Sequence, residues 1–430
     1  MQSRKRGREG YAEAACHTGD RVPYRRGADW RSLDGTQILR VRRTSHRVHS
    51  PRMPRRLVLL AGLVSIGIAA CDKSPRGAKK RAAADARLAT AIAADSGLPI
   101  STDTLNPAVI TDTLPGDSDD PAIWVSADDA AESLVFGTDK GDSTGGVYAF
   151  DLAGHIDRRR SVMPLKRMNN ADVEYGFRFG QISADIVVAT ERNRMMLRVF
   201  AFSDMRAIDG GGIPVFAGDA DRAPMGVAVY KRPRESKVFA IVGGKSGPAS
   251  GYLWQYELSV SKGRVTGTKV REFGSYSGRK EIEAIAVDDA LGAVYYSDEG
   301  VGVRKYHADP DSGNAELALF ATRGVREDHE GLAIYQRDAT TGYLILSDQG
   351  ANRVHIFPRE GSGGDPHAHP LLAVIPVRAQ QTDGLDATDQ SLGAAFPKGM
   401  LAMMSNRGVF HFYRWEDVQA AIDRVRDSAP

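Results

Sequence analysis

The feature that most constrains the fold is a short strand motif that recurs six times at nearly even intervals. Its copies read VYAF, LRVF, LWQY, VRKY, VHIF and VFHF and begin at residues 147, 197, 253, 303, 354 and 409. The intervals between them are therefore 50, 56, 50, 51 and 55 residues. A strand-rich repeat of about 50 residues is typical of a β-propeller with one blade per repeat. The sequence thus predicts an all-β fold, a six-bladed β-propeller.

Two further elements accompany each copy of the motif. An apolar strand precedes it and ends in a polar turn, which reads in order GTDKGD, ATERNR, VGGKSG, YSDEGV, LSDQGA and MSNRGV. An earlier element reads DDPAIW, NADVEYGF, APMGVAVY, EIEAIAVD, HEGLAIY and TDGLDAT. The apolar strand and the motif that follows it across the polar turn have the pattern of a hairpin. Rotation about a propeller axis would bring equivalent residues of all blades to one mouth of the central channel.

Carboxylates dominate the predicted ring around this mouth. Five blades supply them and the third supplies Met225; the acids are Asp119, Asp120, Asp172, Glu283, Asp328, Glu330, Asp383 and Asp386. So many acids in one place repel each other unless cations lie among them. A loose set of oxygen ligands suits Ca²⁺ better than Zn²⁺, for which cysteines and closely spaced histidines are missing. We therefore expect a calcium site.

The turns between the hairpin strands divide the mouth into two charged sides. Blades one to three carry the cations Lys140, Arg192 and Lys245. Blades four and five carry Asp298, Glu299, Asp348 and Gln349. A multiply charged phosphate could contact the cationic side while metal ions bridge its other oxygens to the carboxylates. This arrangement predicts a polyanion as the ligand.

At these residues the sequence resembles the β-propeller phytases, calcium-dependent bacterial enzymes that release phosphate from inositol hexakisphosphate. The resemblance covers roughly residues 115 to 415. It rests on nine segments in order: DDPAIW, GTDKG with GGVYAFDLAG, NNADVEYGF, ATERN, GKSG with LWQYEL, IEAIAVDD, HEGLAIY, GYLILSDQG and QTDGLD. Each segment alone is weak evidence, but nine in the same order are a specific signal.

The resemblance implies roles for individual residues. Lys140, Arg192 and Lys245 match the family's phosphate-binding cations. Positions that bind calcium or its waters in the family match or neighbour Asp120, Asp172, Glu283, Glu299, Asp328, Glu330, Gln349, Asp383 and Asp386. The three cations with Glu283 and Glu330 form the expected catalytic set. The implied reaction is direct attack of a calcium-activated water on phytate or another phosphomonoester, with no covalent enzyme intermediate.

Two departures from the family fall on blade three. Met225 stands where the family usually has a tyrosine, and a thioether cannot donate the hydroxyl's hydrogen bond. Ser246 stands where the lysine turn usually continues with glutamate. Two alternatives therefore stay open. One is a non-catalytic propeller that binds a polyanion or calcium phosphate at the cell surface, and the other is a calcium-dependent lactonase or esterase.

The N-terminal region has the layout of a secretory signal. After two arginines, an apolar stretch from Leu57 to Ala70 ends in IAAC, which resembles a bacterial lipobox with Cys71 as the lipidated residue. We therefore assign residues 53–70 to a lipoprotein signal peptide. Residues 1–52 are an upstream extension, either translated ahead of the true start or a basic arm. The protein is expected to be exported, either periplasmic or at the cell surface, and attached to a membrane.

The mature chain is acidic. Removing residues 1–70 leaves 42 basic and 49 acidic residues, a net charge of −7 in place of +3, which argues against nucleic acid as a partner. Residues 71–104 are Ala-rich and charged and are interpreted as a flexible tether. Residues 105–430 form the predicted propeller domain, expected to be a monomer and to end in a short amphipathic helix from Trp415. The tract DPHAHP at residues 365–370 has no partner motif and is interpreted as a loop.

Overall fold

The computed structural model describes residues 95–428 of the chain. The predicted upstream extension, the signal peptide, Cys71 and most of the tether lie outside the described residues. Within 95–428 the strands form six sheets, and the six-bladed propeller predicted from the repeat is confirmed.

The first three sheets follow the chain in order. Blade one contains β2 (Ser118–Trp124), β3 (Leu134–Asp139), β4 (Gly146–Phe150) and β5 (Ile156–Val162). Blade two contains β6 (Met168–Phe179), β7 (Ile182–Glu191), β8 (Met196–Ala201) and the short strands β9 (Arg206–Ala207) and β10 (Ile213–Pro214). Blade three contains β11 (Pro224–Lys231), β12 (Val238–Gly244), β13 (Ser250–Ser261) and β14 (Arg264–Ser275).

The last three sheets complete the circle. Blade four contains β15 (Ile285–Asp288), β16 (Ala293–Asp298), β17 (Gly302–His307) and β18 (Ala318–Phe320). Blade five contains β19 (His329–Gln336), β20 (Gly342–Asp348), β21 (Arg353–Pro358) and β22 (Ala373–Pro376). Blade six contains β23 (Leu385–Thr388), β24 (Met400–Ser405), β25 (Val409–Arg414) and the N-terminal strand β1 (Val109–Ile110).

The core is divided among the contacts between blades. Each apolar cluster joins two neighbouring blades, and together the clusters run around the whole ring. On β7, Ile186 and Val188 pack towards blade three, whereas Val187 and Ala189 pack towards blade one. Since successive side chains of a strand point to opposite faces, a middle strand buried on both faces must be apolar at every position. This explains the continuous apolar runs of the repeat.

The ring is closed by strands from both ends of the propeller. β1 pairs with β25, with Val109 opposite Phe412 and Ile110 opposite His411. Thr111 extends this contact, because its N–H donates to Phe410 O (3.0 Å) and its Oγ1 accepts from Phe410 N (2.9 Å). Strand β1 thus forms the outer edge of blade six.

The helices of the described region are few. Helix α1 (Trp415–Asp427) confirms the predicted C-terminal helix and buries one face against blades five and six, where the Trp415 ring stacks on Tyr335. Short 3₁₀ turns cover Ala130–Glu132, Arg192–Arg194, Pro310–Ser312 and Gln349–Ala351. Among residues 95–428, none of the helices combines the length and the apolar character needed to cross a membrane.

Part of the predicted tether belongs to the folded body. Ile100 and Leu105 form isolated parallel bridges with Val374 and Val377 beside blade five. Asp95 forms ion pairs with Arg326 and Arg353. Residues 95–104 are therefore held along the outer side of this blade.

The closure can be tested at Thr111. Thr111→Val keeps the shape of the side chain but leaves the buried N–H of Phe410 without its acceptor. We expect the free energy of unfolding to fall by about 1–3 kcal/mol, measured by urea denaturation. Thr113 is exposed and offers a matched control, since Thr113→Val should change the same quantity by about 0.5 kcal/mol or less. Equal effects of the two substitutions would contradict a role for Thr111 in closing the ring.

Candidate metal and phosphate site

A β-bulge at the start of the inner strand positions the residues of the mouth. In blades one, two, three and five the pairing skips residues 119–120, 169–170, 225–226 and 330–331. A bulge adds a residue to one strand and redirects its side chains, and bulges are frequent next to functional sites. The bulge recurs at the same place because the blades are repeats of one unit.

The first bulged residue and its equivalents form an inner ring around the mouth. This inner ring consists of Asp119, Asn169, Met225, Glu283, Glu330 and Asp383. Four of the six are carboxylates. The neutral members, Asn169 and Met225, come from blades two and three.

An outer ring is formed by the residue that follows the second strand of each blade. This outer ring consists of Lys140, Arg192, Lys245, Glu299, Gln349 and Asn406. In blades one to five its backbone N–H donates to the carbonyl two residues before the inner-ring residue, at 2.8, 3.0, 2.8, 3.3 and 3.4 Å. These bonds fix each turn beside the inner strand of the same blade. The cations of this ring thus come from blades one to three and its one anion, Glu299, from blade four, whereas the predicted Asp298 and Asp348 are fully buried and pair with Arg304 and Arg353.

Three predicted metal ligands converge on one point. Glu283, Glu299 and Glu330 each offer a carboxylate oxygen, and these oxygens all lie within 4.8 Å of one another. Burial, together with repulsion from neighbouring carboxylates, raises the pKa of Glu299 to about 8. The same causes raise the pKa values of Glu283 and Glu330 well above the ordinary range. Glu330 Oε2 is buried and has no hydrogen-bond partner among the described residues, so the group has an acceptor available for a cation.

Lys140 bridges a second pair of carboxylates. Its Nζ donates to Asp119 Oδ1 at 2.7 Å and also pairs with Asp383. Burial lowers the pKa of Lys140, but Asp119, Asp383 and Glu283 outweigh that effect and raise it. Burial and the charge of Asp119 raise the pKa of Asp383 to about 7. Gln349 Nε2 donates to Asp383 Oδ1 at 2.5 Å, so this predicted residue contacts the ring through Asp383.

Asn169 is a member of the site that the sequence reasoning missed. Its Nδ2 donates to Asp119 Oδ2 at 2.9 Å and to Glu283 Oε1 at 3.1 Å. Because carboxylates only accept hydrogen bonds, the amide must turn its NH₂ group to them. Asn169 Oδ1 is buried without a partner in the described region. The available signal was the doublet Asn169–Asn170, which occupies in blade two the place of Asp119–Asp120 in blade one.

The other two cations of the outer ring differ in their surroundings. Arg192 opens the 3₁₀ turn of blade two, and within residues 95–428 its guanidinium makes neither an ion pair nor a side-chain hydrogen bond. Lys245 is about half exposed and pairs with Glu281 at 2.7 Å. Arg192 is thus available to an anion, whereas Lys245 must leave Glu281 or share it.

Asp328 lies next to the carboxylate group but is already paired. Its Oδ1 accepts from Lys280 Nζ, and its carbonyl accepts the N–H of Gln349 at 3.4 Å. It also helps to raise the pKa of Glu299. The structure therefore places Asp328 at the edge of the metal group.

Three predicted ligands lie deeper, along the central channel. Asp120, Asp172 and Asp386 line a cavity of about 250 Å³. Each accepts a backbone N–H from the inner strand of the next blade: Ala171 at 3.1 Å, Val229 at 2.7 Å and Ile123 at 2.8 Å. Burial raises the pKa values of Asp120 and Asp172 well above the ordinary range, and that of Asp386 to about 6. Asp172 and Asp386 stand three residues beyond the inner ring, which explains why they are not in the mouth.

The departures on blade three have clear structural positions. Met225 occupies the inner ring and is 3% exposed, and its carbonyl accepts from Thr190 Oγ1 at 2.6 Å. Ser246 follows Lys245, and its hydroxyl donates to Asp221 O at 2.9 Å. Neither residue offers a charged group to the mouth.

Comparison with known protein families identifies the family of the chain. The model of the family described as Phytase matches residues 82–411, most of the chain. The chain belongs to the phytase family. It is also similar to the 3-phytase of Bacillus subtilis (strain 168), with 26% identity over 329 residues, which cover 72% of this chain and 82% of the relative. Membership of the phytase family supports a phytase-type function, which belongs to the phosphatase class.

Some solved structures resemble this phytase-family chain more distantly. One is regucalcin, a calcium-binding protein from Agrobacterium tumefaciens, with 11% identity, a TM-score of 0.45 and coverage of 73% of this chain and 95% of the other. Another is the β-propeller domain of Cps50 (Swd1) from Myceliophthora thermophila, with 11% identity, a TM-score of 0.41 and coverage of 69% and 83%. Likenesses this distant support no inference about function.

The raised pKa values predict how pH affects the metal-free protein. In the folded state Glu299 and Asp383 keep protons up to about pH 8 and 7, whereas in the unfolded chain they lose them near pH 4. The free energy of unfolding should therefore fall as pH rises from 6.5 to 8.5 in a chelator. The buried histidines His329, His369 and His411 and also Lys305, whose pKa is about 8, have lowered pKa values and contribute in the opposite direction. Comparison of variants is therefore needed to assign the slope to the carboxylates.

Glu330→Gln isolates the contribution of the carboxylate group formed by Glu283, Glu299 and Glu330. Between pH 6.5 and 8.5 the free energy of unfolding of this variant should fall by about 1–3 kcal/mol less than that of the wild type, since one pKa unit corresponds to about 1.4 kcal/mol. Urea denaturation at each pH measures it. Glu132→Gln removes an exposed glutamate outside the mouth and should leave the profile unchanged. A Glu330→Gln profile that is identical to wild type would show that the group carries no such repulsion.

Proposed function

We propose that this protein is a calcium-dependent phosphatase that hydrolyses phytate or a closely related phosphomonoester. The observation that carries the proposal is the two-sided mouth, where a group of buried carboxylates faces a side with cationic turns. Neither side alone would hold a phosphate ester, because carboxylates repel it and the cations do not supply a reactive water. The family relationship supports the phosphatase class.

The residues of the mouth fit calcium. Glu283, Glu299 and Glu330 supply the hard, anionic oxygens that calcium prefers. The unpartnered Glu330 Oε2 and Asn169 Oδ1 provide further acceptors at the same opening. Calcium bound by these residues would offset phosphate charge and lower the pKa of a coordinated water.

The protein's own groups would bind and orient the ester. The Arg192 guanidinium can donate two parallel hydrogen bonds to phosphate oxygens. Lys140 is held by Asp119 and Asp383, so it contributes positive charge from a fixed position. Lys245 can turn from Glu281 towards an incoming phosphate, because it is about half exposed. Asn169 keeps Asp119 and Glu283 apart and oriented by donating to both.

Blade three favours the second candidate, a binding propeller without catalysis. A phenol at position 225 could donate a hydrogen bond to a phosphate, whereas the thioether of Met225 cannot. Ser246 adds no carboxylate to the mouth, since it is a serine whose hydroxyl binds Asp221 O. The same two losses are compatible with an enzyme that uses a smaller phosphomonoester than phytate.

A phosphate-release assay separates the candidates. The purified protein is incubated with phytate and with a simple phosphomonoester in millimolar calcium, and inorganic phosphate is measured. We expect release that stops when a chelator is added and returns with calcium, because the carboxylate group needs the cation to admit the ester. Binding of phytate without release would instead support the binding module, and turnover of a lactone without phosphate release would support the lactonase alternative.

Arg192 offers a sharper test of the cationic side. Arg192→Met should lower kcat/KM for phosphate release by about 10–100-fold, the loss of a hydrogen bond to a charged group. Arg194 lies in the same turn but pairs with Glu191 at 3.2 Å, so Arg194→Met should change kcat/KM less than threefold. If both variants lose activity to the same extent, the effect comes from the turn as a whole and the proposed contact is wrong.

We also propose export and lipid attachment for this protein. The support is the apolar stretch before Cys71, which lies outside the described residues. A periplasmic or surface location would place the site where phosphate esters from the surroundings are available.

A further inference from the structure

A cavity on the face opposite the mouth contains a buried lysine. The cavity has a volume of about 350 Å³ and lies between blades four and five, beside the ends of the strands that point away from the mouth. Its apolar wall is formed by Leu291, Ala293, Leu317 and Pro366. Lys305 lines the same cavity and is 4% exposed. The volume is in the range of sites that bind small molecules.

The hydrogen bonds of Lys305 do not neutralise its charge. Its Nζ donates to Pro366 O at 2.6 Å and contacts His369 Nε2 at 3.2 Å. His369 Nδ1 lies 2.7 Å from Pro358 O, so Nδ1 carries the proton and Nε2 accepts. Two neutral acceptors thus use two of the three donors of the ammonium group.

No anion of the described region pairs with this ammonium group. The two carboxylates whose charges act on Lys305 are Asp288, which binds Arg359 through both oxygens at 2.5 and 2.8 Å, and the exposed Asp365 of the DPHAHP tract, and neither forms an ion pair with Lys305. Glu360 also lines the cavity, but its Oε2 accepts the N–H of Gly342 and it lies beyond ion-pair distance of Lys305. A buried charge without a counterion is costly, and burial lowers the pKa of Lys305 to about 8. An anion entering the cavity would remove this cost.

The walls restrict which anion would fit. The apolar residues favour a ligand with a hydrocarbon or aromatic body. The carboxylate of Glu360 disfavours a dianion such as phosphate, because it would repel the second charge. We propose that this cavity binds a small monocarboxylate with an apolar body, whose carboxylate group contacts Lys305 Nζ. The loop that completes the cavity is the DPHAHP tract, which the function at the mouth does not use.

The proposal is tested by fluorine NMR on the full-length chain with 4-fluorobenzoate as the probe. We expect saturable line broadening that unlabelled benzoate reverses, and an affinity at least tenfold higher than that of the neutral isostere 4-fluorobenzamide. Lys305→Met should lower the affinity for 4-fluorobenzoate at least tenfold with an unchanged circular dichroism spectrum. Equal binding of the acid and the amide, or no loss in a folded Lys305→Met variant, would overturn the proposal.

A second measurement does not depend on the variant. Reductive methylation of the wild-type protein is followed by peptide mass spectrometry with and without saturating benzoate. Lys305 should be modified at least fivefold more slowly in the presence of benzoate, while Lys237, about half exposed, should be modified at the same rate. Unchanged modification of Lys305 at benzoate concentrations that saturate the NMR signal would place the probe elsewhere and refute the assignment.

Discussion

Repulsion among buried carboxylates is the constraint on which the site depends. Glu283, Glu299 and Glu330 stand close enough to share one cation, because the inner strands of blades four and five and the turn after β16 bring them to one opening. The free energy that holds them together comes from elsewhere, namely the apolar clusters between successive blades. Because these clusters form a closed ring, no single blade can move outward to relieve the repulsion without opening contacts on both of its sides. The fold thus maintains a site that is unfavourable without a cation.

The ring of blades places acidic residues at two depths of the central channel, in different environments. At the mouth, the bulge turns Asp119 and Glu330 towards the opening, where buried acceptor atoms lack partners. Further along the channel, Asp172 and Asp386 accept backbone N–H groups of the next blade. Those N–H groups belong to inner strands that have no neighbouring strand on the channel side. The deeper carboxylates therefore connect adjacent blades, in addition to any cation they could hold.

The sequence predicted the number of blades and the cationic turns of blades one to three, because each depends on spacing that repeats with the blades; it did not predict that Asp298 and Asp348 would be buried in ion pairs with Arg304 and Arg353. It did not predict the exact register within a blade. Asp172 was placed in the mouth ring, whereas Asn169 occupies that position, and a bulge that adds one residue is invisible to a search for carboxylates. The contribution of β1 to blade six was also not predicted, since two residues of strand carry almost no pattern of their own. The sequence also did not predict that Lys305 lacks a counterion, because this depends on how the side chains pack.

The position of the two departures bears on what this phytase-family chain can do. Met225 and Ser246 both belong to blade three, while the carboxylate group comes from blades four and five. The cation site and the phosphate contacts are therefore separable, and a change in one leaves the other intact. In the proposed enzyme, the lack of a hydroxyl at position 225 would remove one hydrogen bond to a phosphate, while Arg192 and Lys140 would remain in place. In the proposed enzyme, a smaller phosphomonoester would lose fewer contacts to these two departures than phytate would, so comparing the two substrates separates a change of substrate preference from a loss of the reaction.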